Sequence, residues 1–219
     1  PPDRWWQGTA PLFALLAWAG LALALLAWWN DTPTDSIDNR GELFVHAGRI
    51  TGLVGGYVLL IQVLLRSRVG FVERLVGTER ITRWHRDLAP VLLVSVLAHA
   101  ALTVVGYALV DRATLASEVV VLLSDYEDMA SALVATGILI AVGLLAVRGV
   151  RAVLPYELWK LLHTASYLVL LLSYGHQFAN GQQLFRPGFG RYYWLFLYVG
   201  VVGCLIWGRV VAPLRLNLR

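Results

Sequence analysis

Six apolar runs, each long enough to cross a bilayer, leave this 219-residue chain few folds to choose from. A spanning helix needs about 20 predominantly apolar residues, and the runs cover about 9–29, 43–65, 88–110, 129–147, 158–178 and 192–212. With short connections they fill nearly the whole sequence, so no large soluble catalytic domain fits between them. Composition agrees: 58% of residues are apolar and 15% charged, and the mean hydropathy of +0.64 is far above that of a solvated globular domain. The expected fold is an all-α integral membrane protein, a bundle of six transmembrane helices forming one domain over residues 1–219. The first run is longer and richer in Trp than a secretory signal, and no small-residue cleavage site follows it, so it reads as a retained helix.

Orientation follows from the basic residues, because cytoplasmic loops carry the Lys and Arg excess. The second connection holds Arg66, Arg68, Arg74, Arg80, Arg83 and Arg86, the fourth holds Arg148, Arg151 and Lys160, and Arg4, Arg209, Arg215 and Arg219 flank the outermost spans. On the opposite side stand only Arg40, Arg112, Arg186 and Arg191, among Asp31, Asp35, Asp38, Glu42, Asp125, Glu127 and Asp128. The bias places both termini in the cytoplasm, with a bacterial-type cytoplasmic membrane as the expected location. Lipid is an expected partner and nucleic acid is not. Within the second connection, Phe71, Val72, Leu75 and Val76 fall at helical spacing among charged residues. They predict a short helix on the inner membrane surface, either an anchor or a docking face for a cytoplasmic partner.

The single cysteine, Cys204, excludes an internal disulfide, a four-cysteine iron–sulfur site and the C-x-x-C-H attachment of c-type haem. Histidine is the more informative residue. Ionisable side chains inside a membrane are expensive and functional by default, and four of the five histidines fall in pairs: His85 and His99 around the third span, His163 and His176 within the fifth. At about 1.5 Å per residue the two steps cover about 21 and 19.5 Å. Spans three and five run the same way, so His85 lies level with His163 near the inner face, and His99 with His176 farther out. Two imidazoles per level is what a bis-histidine haem requires, one on each face of a flat macrocycle.

A structural zinc site wants four converging ligands, and a proton relay usually adds Asp or Glu at depth; neither suits these spans as well. A histidine-lined proton channel or small transporter and a purely structural membrane subunit stay as readings from other classes. One misfit is visible. Fourteen residues return to within about 40° of the same helix face, whereas thirteen leave an offset of about 140°. Either the two haems are rotated relative to one another or the fifth helix is distorted, a distortion that Gly175 would ease.

The stretches W-H-R-D-L-A-P with His85, L-A-H-A-A-L with His99, W-K-L-L-H-T-A-S-Y with His163 and S-Y-G-H-Q-F with His176 resemble the membrane domain of the ferric reductase and NADPH oxidase superfamily. The resemblance covers nearly the whole chain. It implies two b-type haems carrying electrons from cytoplasmic NAD(P)H and FAD to an outside acceptor, oxygen or chelated ferric iron. It also implies that His85 with His163 holds the inner haem iron and His99 with His176 the outer. The sequence has no glycine-rich nucleotide loop, so FAD and NAD(P)H are expected on a flavin dehydrogenase domain after residue 219 or on a partner reductase. Eukaryotic oxidases of the superfamily tend to carry a further histidine where this chain has Thr103, which counts against oxygen as acceptor. A shorter relative, the haem subunit serving periplasmic methionine sulfoxide repair, also lacks its own dehydrogenase domain and implies the alternative of delivering electrons to a periplasmic reductase.

Other residues support this reading more loosely. Gly48, Gly52 and Gly56 form a smooth stripe on span two, suited to helix packing or to haem clearance. Arg49, at the outer end of that span, is a candidate contact for a haem propionate, with snorkelling to lipid headgroups as the other reading. His46 reads as interfacial, since no fifth histidine remains to pair with it. Tyr167 falls between the two levels and reads as core packing, with contact to a macrocycle as the other role. Trp28, Trp29, Trp159 and Trp194 lie near span ends, as interfacial aromatic rings do.

Overall fold

A computed structural model of the chain describes residues 9–32, 37–181, 184 and 187–217. Arg4, Asp35, Arg186 and Arg219, used above for orientation, lie outside the described residues. Among the described residues the secondary structure is helical, with no strand. In chain order the helices are α1 (Thr9–Asp31), α2 (Arg40–Leu65), α3 (Gly70–Val76), α4 (Thr78–Val110), α5 (Leu115–Asp125), α6 (Met129–Leu145), α7 (Arg148–Val153), α8 (Tyr156–Thr164), α9 (Ser166–Asn180) and α10 (Phe189–Ile206). A π-helical turn, Trp207–Val211, then leads into α11 (Ala212–Asn217).

Among the described residues four helices are long and apolar enough to cross a membrane: α1, α2, α4 and the continuous stretch Phe189–Arg215. The bent pair α5 and α6, at 115°, makes a fifth if counted as one span. The expected fourth and fifth runs therefore differ from single long helices. Run 129–147 is α6, of 17 residues. Run 158–178 is divided between α8 and α9 at Ala165, where the Ala165 N–H bonds the Leu162 carbonyl at 3.1 Å and the Leu168 N–H bonds the Ala165 carbonyl at 2.9 Å. These are tightened, 3₁₀-type bonds. Thr164 Oγ1 also donates to the Lys160 carbonyl at 2.7 Å, a back-bond that bends helices. The distortion that the thirteen-residue spacing demands thus lies two residues after His163, and Gly175 sits inside unbroken α9. Since a 3₁₀ residue advances about 120° rather than 100°, the tightening turns His176 in the sense that reduces the offset.

The core is built around α2, the most buried of the long helices. Its glycines bring α4 close: a Cβ on Gly41 would meet Val110 and the Gly106 carbonyl, one on Gly48 would meet Thr103, and one on Gly52 would meet His99. In lipid such close packing and interhelical hydrogen bonds replace the hydrophobic drive. Tyr57 Oη donates to the Ala17 carbonyl at 2.8 Å and Tyr193 Oη to the Gly20 carbonyl at 2.6 Å, tying α1 to α2 and α10. Large apolar side chains such as Trp18, Val94, Leu171, Phe196 and Val199 point outward and are exposed, as a lipid-facing surface requires.

The expected short helix in the second connection is α3, but only part of its apolar set faces outward. Val72 and Val76 are buried with Leu65 and Ile81, while Phe71 is exposed. Helix α5 appears where the sequence suggested a plain outer loop. It is capped by Thr114 Oγ1, which accepts from the Ser117 N–H at 3.2 Å, and it buries Leu122 and Glu118. At the other end, the bare Cα of Gly208 lies against the backbone of Ser67 and Arg68. There the Arg209 guanidinium donates to the Arg66 carbonyl at 2.8 and 3.2 Å.

Candidate functional site

Helix α4 carries two of the four paired histidines on one uninterrupted element that contains Pro90. The imidazole of His85 faces that of His163 on α8, with ring centroids 6.2 Å apart and planes at 79°. His99 faces His176 on α9, with centroids 6.1 Å apart and planes at 51°. A metal–imidazole bond is about 2 Å and the ring centre lies about 1 Å beyond its nitrogen, so two imidazoles on opposite sides of one metal ion have centroids about 6 Å apart. Both separations have that value. Among the described residues no group of three or more His, Cys, Asp or Glu could hold a metal ion. Each level thus brings two imidazoles together, a donor set that matches the two axial positions of a haem and falls short of the four ligands of a structural zinc site.

The two levels orient their rings differently. His99 Nδ1 lies 2.8 Å from the Gly48 carbonyl, so Nδ1–H donates and Nε2 keeps its lone pair, the tautomer a metal ligand needs. Beside His176, the Asn180 side-chain amide donates to the Glu127 carbonyl at 2.7 Å and lies 3.4 Å from His176 Nδ1. At the inner level His85 Nδ1 and His163 Nδ1 are buried without a hydrogen-bond partner. The His85 carbonyl accepts from Gln62 Nε2 at 2.9 Å, and the His163 ring stacks on Trp159.

The outer pair opens on a cavity of about 350 Å³ lined by His99, His176, Gly52, Gly56, Arg49 and Thr103, with otherwise largely apolar walls. Its size is within the range of small-molecule and cofactor sites. Helix α5 contributes Val119, Leu122 and Leu123 to its lining.

Residues 51–174, more than half of the chain, match the family described as ferric reductase like transmembrane component. The chain belongs to this family. The matched segment takes in His85, His99 and His163 and ends two residues before His176. No curated protein and no solved structure matches the chain. As a ferric reductase-like component, it is a membrane part of an oxidoreductase.

Several sequence readings change in this setting. The glycine stripe packs α2 on α4 and also opens on the cavity: Gly48 presents its carbonyl to His99 across the α2–α4 contact, while Gly52 and Gly56 line the cavity. Arg49 is among the cavity residues, at the level of the outer pair. His46 is buried edge-on against Trp28, with centroids 6.0 Å apart, and is not among the cavity-lining residues. Tyr167 packs half-buried against the core. Of Trp28, Trp29, Trp159 and Trp194, Trp29 is exposed as an interfacial ring would be; Trp28 and Trp194 are core residues, the latter lining the cavity. Trp159 is the functional neighbour that the sequence reading missed. The signal was there in its position, four residues before His163 on one face of α8. Gly175 lies bare against the carboxylate of Asp128, a residue held at φ 58°.

Proposed function

We propose that this ferric reductase-like chain carries single electrons across the membrane through two b-type haems, with His85 and His163 holding the inner iron and His99 and His176 the outer. The observation that carries the reading is the double one: two facing imidazole pairs, each at the spacing of ligands to one metal ion. Fourteen residues of α4 separate the levels by about 21 Å, which leaves a shorter gap between macrocycle edges. Haem iron supplies the one-electron redox chemistry. The protein supplies axial nitrogens in fixed orientation, helix spacing and apolar walls. Among the described residues that line the cavity none is Asp or Glu, which favours this reading over a proton path, since such paths use chains of acidic groups and histidines.

Family membership supports a redox donor on one side of the membrane and an acceptor on the other. Electrons enter from cytoplasmic NAD(P)H through FAD, on a dehydrogenase domain or a partner reductase, and leave to an acceptor outside. Thr103 on the outer cavity, where eukaryotic oxidases tend to carry a histidine, favours ferric iron or a periplasmic reductase over oxygen. The arginine bias supports a cytoplasmic position for both termini. The hydrogen bonds from Arg209 to Arg66 support that orientation by keeping the last helix beside the arginine-rich second connection.

Protein purified from haem-sufficient cells is expected to carry two haem b per chain and to give sharp b-type bands on dithionite reduction. A colourless preparation overturns the proposal. Arg49 is assigned to a propionate of the outer haem. Arg49→Ala is expected to lower the outer midpoint potential by several tens of millivolts, where about 59 mV is a tenfold change for one electron. Redox titration checks this; an unchanged potential removes the contact.

A further inference from the structure

We infer that Trp159 is the positioning residue of the inner histidine pair, holding the plane of the His163 ring by stacking where the outer level holds His99 by a hydrogen bond. The inference rests on the haem reading above. Metal-binding histidines are ordinarily oriented through their second ring nitrogen, by donation to a carbonyl, carboxylate or water. His99 follows that rule through the Gly48 carbonyl. His163 does not: its Nδ1 is buried and bonds nothing. A flat contact takes the place of the missing bond. The Trp159 ring lies 4.9 Å from the His163 ring, the planes 13° apart.

The indole is itself pinned. Its Nε1–H donates to the Leu145 carbonyl at the end of α6, at 3.2 Å. The Arg151 guanidinium of α7 lies over it at 4.8 Å, and the Tyr156 ring stacks beside it at 6.3 Å and 28°. Since Trp159 and His163 are one turn apart on α8, the stack links the imidazole to two further helices, α6 and α7. A cation held over an aromatic face strengthens such a stack.

The inner rings stand at 79° and the outer at 51°. Axial imidazole planes close to perpendicular leave the two π-symmetry d orbitals of ferric iron nearly equal in energy. The low-spin EPR signal then has a large, strongly anisotropic maximum g value. Planes nearer parallel give a smaller one. The two levels therefore carry separable signatures.

The test is EPR and redox titration of the full haem-loaded chain. Trp159→Leu is expected to move or broaden the inner signal toward smaller g and to shift the inner midpoint potential, leaving the outer signal in place. Trp159→Phe, which keeps a flat ring, is expected to stay near wild type. An inner signal of wild-type position and width in Trp159→Leu overturns the inference. So does loss of the inner haem alone from both variants, since a ring able to stack would then be insufficient. Failure of the haem reading is told apart without any variant, because the wild-type chain would itself lack two low-spin signals.

Discussion

On the two-haem proposal, a His99→Leu variant is expected to bind one haem instead of two, and to pass electrons across a vesicle membrane more than about a hundredfold more slowly. The rate estimate is conservative, because losing even an outer partner of a metal ligand typically costs 10–100-fold. Leucine fills the space of the imidazole without its nitrogen, leaving His176 as the one protein ligand facing the cavity from that pair. The inner pair lies at the far end of α4 and keeps its ring contact. Haem-to-protein ratio and dithionite-driven reduction of an external ferric chelate in proteoliposomes check the two halves of the result. His46→Leu is the control and should retain both haems, since His46 packs on Trp28 away from either pair. Two haems in His99→Leu would remove His99 from the ligand set.

Substitution of Gly52 is expected to have nearly as large an effect without touching a ligand. A Cβ there would lie 2.7 Å from His99 Nδ1 and 3.0 Å from Cε1, closer than real side chains approach. The ring would have to swing off the Gly48 carbonyl that fixes it. Overpacking of this kind costs about 1–3 kcal/mol, and the outer haem should be lost or weakly held while the inner stays. Gly137→Ala makes the comparison clean, because a Cβ there meets nothing within 4 Å and Ala is favoured over Gly in a helix by about 1 kcal/mol. Haem content and thermal midpoint of the purified protein should fall in Gly52→Ala and hold in Gly137→Ala. Equal behaviour of the two variants would mean that the Gly52 contact does not position His99.

The spans that sequence places best are those in which a single long helix does one job. The apolar cores of α1, α2, α4 and α10 follow from apolar length, a one-dimensional property, although α4 starts at Thr78, ten residues before its apolar run. The pairing of His85 with His163 and of His99 with His176 was also legible, because helix rise converts sequence separation into depth. What stayed hidden depends on how helices cross. The carbonyl of Gly48 carries no sequence signature and becomes a partner for His99 only because α2 and α4 approach over glycine. Trp194 lies near a span end, yet it is buried, since position along an apolar run does not say which way a side chain points. The mismatch in the fifth span was visible as an angle, but its location at Ala165 depended on local hydrogen bonding that spacing does not encode.

That location has a mechanical consequence. The α8–α9 junction at Ala165 puts His163 and His176 on two separate helices. The two rungs therefore share a common rail, α4, on one side and have separate mountings, α8 and α9, on the other.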